Sequence, residues 1–285
     1  MKLNLPCRTV IAAAITMMMM PGPAPAQSLK SIPVPEPPML WRYVIDKDAA
    51  TQLGKTLFWD MQVGSDGMTA CASCHFQAGA DNRTRNTLNP GMKSGDVLFD
   101  GTGGPNSKMA KSHFPFVEFN NEDDLNSGLI ADGNDIVGSQ GVRKMDFVDI
   151  VIGSAEDIGN PVVDPVFNVG GVKVRQVTDR NAPSVINAVY NFANFWDGRA
   201  NNVYNGSSPF GAMDSGAKVY VRTPTGITPQ NVRIRNASLA SLAMAPALSE
   251  VEMSWKGRSW PKIGKKMLSL KPLAKQVVHP QDSVL

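Results

Sequence analysis

Apolar and polar positions follow several different rhythms along this chain. Near the start, "VIAAAITMMMM" (10–20) is almost continuously apolar and is closed by Pro21, Pro23 and Pro25. "SIPVPEPPML" (31–40) has proline at 33, 35, 37 and 38, a spacing that predicts an extended, polyproline-like segment. A helical rhythm first arises in "DKDAATQLGKTLFWD", where Ala49, Leu53 and Leu57 recur at helical spacing behind Asp46 or Asp48 as cap. From about 89 to 180 the periodicity weakens. "NPGMKSGDVLFDGTGGPNSKMAKS" and "NNEDDLNSGLIADGNDIVGSQG" are rich in Gly, Asn and Asp, and predict an elaborated loop region with short elements such as "DFVDIVI" (146–152).

Regularity returns in "NAPSVINAVYNFANFWDGRA" (181–200). Pro183 suits a first helical turn, and Val185, Val189 and Phe192 share one face. A second loop-rich stretch follows over about 201–235, with "VYVRTPTG" as a hairpin edge. "NASLASLAMA" predicts a helix. So does "WPKIGKKMLSLKPLAKQ", which carries Trp260, Ile263, Met267 and Leu270 on one stripe.

Charge changes this picture little. The chain of 285 residues is 42% hydrophobic and 19% charged, an ordinary globular composition. Its net charge is +3, and Lys2 and Arg8 are the only charges in the first 26 residues, so the remainder holds 26 basic and 25 acidic groups. Nothing in that balance calls for nucleic acid. The basic start, the short apolar run and "APA" at 24–26 predict a cleaved export signal over 1–26, with a periplasmic product. The run is shorter than the ~20 residues of a spanning helix, so no membrane insertion is expected.

Cleavage would remove Cys7 and leave Cys71 and Cys74, which stand with His75 in "TACASCHFQAGADNR". A C-x-x-C-H admits three chemistries. Structural zinc needs two further ligands, and His113 and His279 are isolated. A thioredoxin-like pair follows a buried strand, which "QVGSDGMTA" is not, and leaves His75 without a role. Covalent haem uses all three residues: two thiols one turn apart form thioethers, and the adjacent imidazole ligates the iron. His113, His279 or a methionine could supply a sixth ligand, although each also reads as an ordinary packed or surface residue.

Four segments together resemble the bacterial di-haem cytochrome c peroxidase family, which includes MauG-type enzymes. They are "LGKTLFWDMQVGSDGMTACASCHFQAGADNR" (53–83), "RNAPSVINAVYNFANFWDGRA" (180–200), "PALSEVEMSW" (246–255) and "KPLAKQVVHPQDSVL" (271–285). The resemblance implies a mainly α, cytochrome c-like helical haem domain over 46–260, carrying long loop insertions at about 89–180. It places a Pro-rich segment before that domain (27–45) and a helix after it (261–285). It puts Cys71, Cys74 and His75 on the peroxidatic haem's anchor and Glu252 on the distal acid–base glutamate. Trp196 falls on the tryptophan between the haems, and Asn181 on a ligand of a calcium ion at the domain junction. Arg199 can pair with a haem propionate or form a surface ion pair. Taken without the resemblance, Glu252 reads as a helix-start glutamate, Trp196 as a core aromatic and Asn181 as a helix cap.

The implied activity is reduction of hydrogen peroxide with electrons from a small periplasmic cytochrome c or copper protein, by a chain that can form a homodimer. Two departures stand out. Leu242 occupies the place of a glutamine ten residues before the distal glutamate, and "NVGGVKVRQVTD" lacks the histidine that closes the resting haem in many relatives. The C-x-x-C-H occurs once, so the sequence is expected to be the first part of a di-haem enzyme. A mono-haem electron carrier or an inactive fragment is the alternative.

Overall fold

The structure is a computed structural model that describes residues 28–77, 79–91, 97–100 and 103–285. The predicted export signal and Cys7 lie outside the described residues. Residues up to Val34 form one unit and Pro35–Leu285 another. In the first, Leu29–Ser31 make a single 3-10 turn, with the Ser31 hydroxyl donating to the Ser28 carbonyl at 2.7 Å.

The second unit is not mainly α. Its described helices are α1 (Lys47–Trp59), α2 (Ala72–His75), α3 (Ser238–Ala243) and α4 (Trp260–Met267), and only α1 exceeds eight residues. Between α2 and α3 the described residues make five two-stranded antiparallel ladders. These pair β1 (Leu88–Asn89) with β4 (Ile136–Val137), and β2 (Val117–Phe119) with β3 (Leu129–Asp132). They also pair β5 (Met145–Asp149) with β6 (Ile158–Pro161), β7 (Asn168–Val169) with β8 (Val172–Lys173), and β9 (Val219–Thr223) with β10 (Gly226–Gln230). The short element predicted at 146–152 is a strand, β5, and the hairpin at "VYVRTPTG" is β9–β10.

The helix predicted over 181–200 does not form. Asn187 (φ 61°) and Phe195 (φ 63°) take left-handed backbone conformations, which interrupt a right-handed helical path. One 3-10 turn remains at Ala188–Tyr190, and the expected apolar face is open, with Phe192 78% exposed. The periodicity there reflects apolar residues placed along an irregular path. At α1 the capping pattern is realised: the Asp46 carboxylate accepts from the Ala49 N–H at 2.9 Å. α1 nonetheless buries no residue. The segment after α4 holds it instead. Buried Asp60 accepts from the Leu273 N–H (2.9 Å), Gln276 accepts from the Met61 N–H (3.0 Å), and Lys55 pairs with Asp282 (2.6 Å).

The apolar core is small: Val63, Ala247, Met253 and Ile263, with Cys71, Leu248 and Met267 packed against it. Beside it lies a charged core. Asp157 receives Arg258 Nε at 2.9 Å and Lys266 Nζ at 3.0 Å, and all three side chains are fully buried. Lys266 also donates to the carbonyls of Gly64 and Ala155, both at 2.9 Å, and Arg258 donates to Val63 O at 2.8 Å. Buried charges survive when geometry and hydrogen bonding offset desolvation, and here every ammonium proton has an acceptor. The cluster joins the turn before α2, the β5–β6 hairpin and α4.

Burial, with the Arg258 cation beside it, pulls the Lys266 ammonium down to about 8, although Asp157 opposes the shift. An unfolded chain keeps that proton up to the ordinary 10.5. Between about pH 8 and 10.5 the unfolded state therefore binds more protons, and the contribution of this site to stability rises with pH. Lys266→Met is expected to lose about 3–5 kcal/mol, the usual cost of breaking a buried pair. Urea unfolding of both chains would show the gap to wild type widening from pH 8 to pH 10.

Candidate haem site

The motif begins at a turn that backbone contacts fix. The Ser65 N–H donates to Met253 O (2.9 Å), and the Ser65 hydroxyl accepts from the Trp255 N–H (3.0 Å). Gly64 lies so close to Thr69 that an added Cβ would stand 2.4 Å from its carbonyl oxygen. The one-turn helix α2 follows, closed by Ser73 Oγ accepting from the Ala70 N–H (3.0 Å) and by the His75 N–H donating to Cys71 O (3.1 Å). A helical turn places residues three and four apart on one face, which brings Cys71, Cys74 and His75 together.

Both thiols are free and half-buried. Cys71 Sγ lies 3.9 Å from Met253 Sδ, against the apolar core. Burial pushes the Cys71 thiol up to about 11, and the Glu252 carboxylate adds to the rise. Burial also raises Cys74, although Arg83, with Nη2 at 3.4 Å from its sulfur, pulls the other way. Burial of this kind disfavours the thiolate, the form a reactive redox pair needs.

His75 carries the deciding contact. Its Nδ1 lies 2.9 Å from the carbonyl oxygen of Pro183. A carbonyl only accepts, so Nδ1 holds a proton there and Nε2 is the nitrogen left for a metal, the orientation of a histidine that ligates through Nε2. Two thiols and an oriented imidazole on one turn fit a covalent haem. Next to Pro183, Val185 and Ile186 leave apolar surface open, 44% and 56% exposed.

The family model for di-haem cytochrome c peroxidase matches residues 48–121 and 154–278, well over half the chain. The chain belongs to that family. Covalently bound haem c goes with membership. No curated protein and no solved structure matches the chain. The unmatched 122–153 contain β3, β4 and β5.

Glu252 is brought to the same place as the cysteines of this family member. It sits in a turn next to Met253, and its N–H donates to Ser249 Oγ at 3.3 Å. The turn is pinned by the Val142 N–H on Val251 O (3.0 Å) and by the Gln176 amide on Glu250 O (2.8 Å). Burial raises the Glu252 carboxyl above the ordinary glutamate range. The hydrogen bond with Ser249 lowers it, Asp179 adds to the rise, and Arg199 pulls it down. Glu252 is therefore neither exposed nor at a helix start.

The other predicted residues sit further out. Trp196 is 81% exposed, with the Arg180 guanidinium 5.1 Å from its ring centroid, so it is not a core aromatic. Arg199 pairs with Asp197 at 2.7 Å and lies over the Phe195 ring. Asn181 is exposed and precedes no helix. Among the described residues no group of three or more His, Cys, Asp or Glu could hold a metal ion. His113 and His279 each accept a local backbone N–H. Leu242 is half-buried in α3.

Sequence reasoning passed over three groups here: the Pro183 carbonyl, the Asp81–Arg83 pair, and Arg175. Arg175 pairs with Asp66 (2.9 Å) and donates to Gly141 O (2.6 Å). With Arg83, Ser73, Thr69, Met68 and Gln140 it lines a polar cavity of about 200 Å³ beside the motif. "ADNR" directly after the motif was the visible signal for Asp81 and Arg83, but residues two apart have no periodic reason to meet.

Gly141 tests how closely the Glu252 turn is seated. An added Cβ would meet Val251 O at 2.0 Å, Glu252 O at 2.6 Å and Glu252 Cα at 2.7 Å, all backbone atoms. Gly141→Ala is expected to cost about 1–3 kcal/mol, as overpacking does. A lower urea midpoint for the full chain checks this, and an unchanged midpoint would mean that the turn moves freely.

Proposed function

We propose that this chain reduces hydrogen peroxide to water at a haem anchored by Cys71, Cys74 and His75, with Glu252 as the acid–base group. The observation that supports it is the conjunction of the His75 Nδ1–Pro183 O contact with a half-buried carboxyl close enough to raise both anchoring thiols. The haem, when bound, supplies a redox-active iron held by His75 Nε2.

The chain's own residues do the proton work. Hydrogen peroxide takes up two electrons and two protons to give two waters. Glu252 Oε takes the proton from the near peroxide oxygen and returns it to the far one, so that water leaves rather than hydroxide. Burial suits Glu252 to this task because it brings the carboxyl nearer to neutral pH. Arg199 keeps the ionised form accessible. Trp196, exposed in the same segment as the proximal acceptor Pro183, offers an aromatic surface toward the source of electrons. We assign that source to a small periplasmic cytochrome c or copper protein. Among the described residues no helix is long and apolar enough to cross a membrane.

Glu252→Gln is expected to retain haem and fold but to lose about 10²–10⁴ in peroxide turnover, the usual worth of a positioned acid–base group. Stopped-flow absorption with peroxide measures it, and unchanged turnover would remove Glu252 from the chemistry. Because the folded carboxyl titrates above the ordinary glutamate value of about 4.3, the wild-type rate should fall on acidification with an inflection above that pH. The inflection should be absent in Glu252→Gln.

A further inference from the structure

The loop after α2 carries a charge pair that neither the haem anchor nor the proton chemistry uses. Arg83 grips Asp81 through Nε (2.9 and 3.0 Å to the two carboxylate oxygens) and Nη2 (2.5 Å), and its own N–H closes on Asp81 Oδ1 at 3.1 Å. The Asp81 side chain is 1% exposed. Burial opposes its ionisation, yet the bonds from Arg83 outweigh that and hold the carboxyl below the usual range. Bidentate guanidinium–carboxylate pairing of this kind is directional as well as strong.

The pair faces two ways. Outward from Asp81, Arg83 Nη2 reaches Cys74 Sγ at 3.4 Å. On the other side, the Asp81 N–H donates to the carbonyl of Ala182 at 3.3 Å. Ala182 is buried, and the next residue is Pro183, whose carbonyl receives His75 Nδ1–H. Pro183 has no N–H with which to fix itself. Beyond it, Val185, Ile186 and Asn187 are exposed and irregular. One anchor for the Pro183 carbonyl is therefore the neighbouring Ala182 carbonyl, which the Asp81 N–H holds.

We propose that Asp81 and Arg83 are positioning residues for the proximal side of the haem site. They hold the Cys74 sulfur and the Pro183 carbonyl as one unit, and so set the strength of the hydrogen bond that His75 donates. The inference rests on His75 being the iron ligand. A stronger Nδ1–H···O bond makes the imidazole more basic and favours the oxidised metal, as outer partners of ligating histidines do. Loosening the pair weakens that bond. It should raise the midpoint potential and lower the iron–histidine stretching frequency of the reduced protein.

The test compares wild type, Arg83→Leu and Arg83→Lys as full chains carrying haem, by redox titration and resonance Raman spectroscopy. Arg83→Leu is expected to shift the potential upward and the iron–histidine stretch downward. Arg83→Lys, which keeps a cation against Asp81, should return both toward wild type. Unchanged potential and frequency in Arg83→Leu would overturn the proposal, as would equal shifts in the two variants. If Arg83→Leu takes up no haem, the ¹⁵N shifts of His75 in the unloaded chains decide. A single Nδ1–H tautomer in wild type and a mixture in the variant support the proposal, and the same single tautomer in both overturns it. A wild-type chain that takes up no haem would instead sink the functional reading, while the tautomer comparison would still decide this one.

Discussion

The turn that carries Cys71, Cys74 and His75 is seated through one buried carboxylate. Asp157 holds Arg258 and Lys266 with no solvent around any of the three, and those two cations supply donors to the carbonyls of Val63, Gly64 and Ala155. A chain with so little regular structure leaves many backbone carbonyls without a ladder partner. Burying them costs free energy unless a donor is brought to each. Here the donors are charged side chains from the last third of the sequence. The hydrophobic cluster beside them, Val63, Ala247, Met253 and Ile263, is small and closes the same junction. Polar and apolar cores thus act at one place, the turn that leads into α2.

From that junction the site is assembled in two halves. One half is the Glu252 turn, seated against Gly141 and Val142 and fixed by Gln176. The other half is the Ala182–Pro183 segment, whose Pro183 carbonyl is met by His75 from α2 and whose Ala182 carbonyl is met by the Asp81 N–H from the following loop. Neither half needs a long helix. Glycine lets backbones approach within contact distance, and asparagine in left-handed conformation turns the chain where a helix would have continued.

Some of this was written plainly in the sequence. Asp46 before α1, the β9–β10 hairpin, and the meeting of Cys71, Cys74 and His75 on one turn are all local, carried by neighbours a few positions apart. The helix expected over 181–200 was not, because Val185, Val189 and Phe192 keep helical spacing whether or not the backbone does. Asn187 and Phe195 decide the matter through conformations that no periodicity records. The mainly α expectation failed for the same reason, extended over the whole chain. Asp157, Arg258 and Lys266 were invisible for a different reason. Each reads as an ordinary surface charge, and their meeting is a fact of tertiary packing. Glu252 lay between these cases: its type was suggestive, but burial beside Cys71 had to be seen.

The contacts that seat the motif also have an order in time. Arg258 reaches back 195 residues to Val63, Lys266 reaches back 202 to Gly64, and Lys55 meets Asp282 across 227. Contacts this distant in sequence make closure slow, since loop entropy must be spent before they repay it. A chain emerging from its N-terminus presents Cys71 and Cys74 long before the residues that bury them. In that interval the two thiols are open to solvent on a flexible strand. The thioethers proposed at these two sulfurs would therefore form most readily on the unfinished molecule, before the distant contacts close over them.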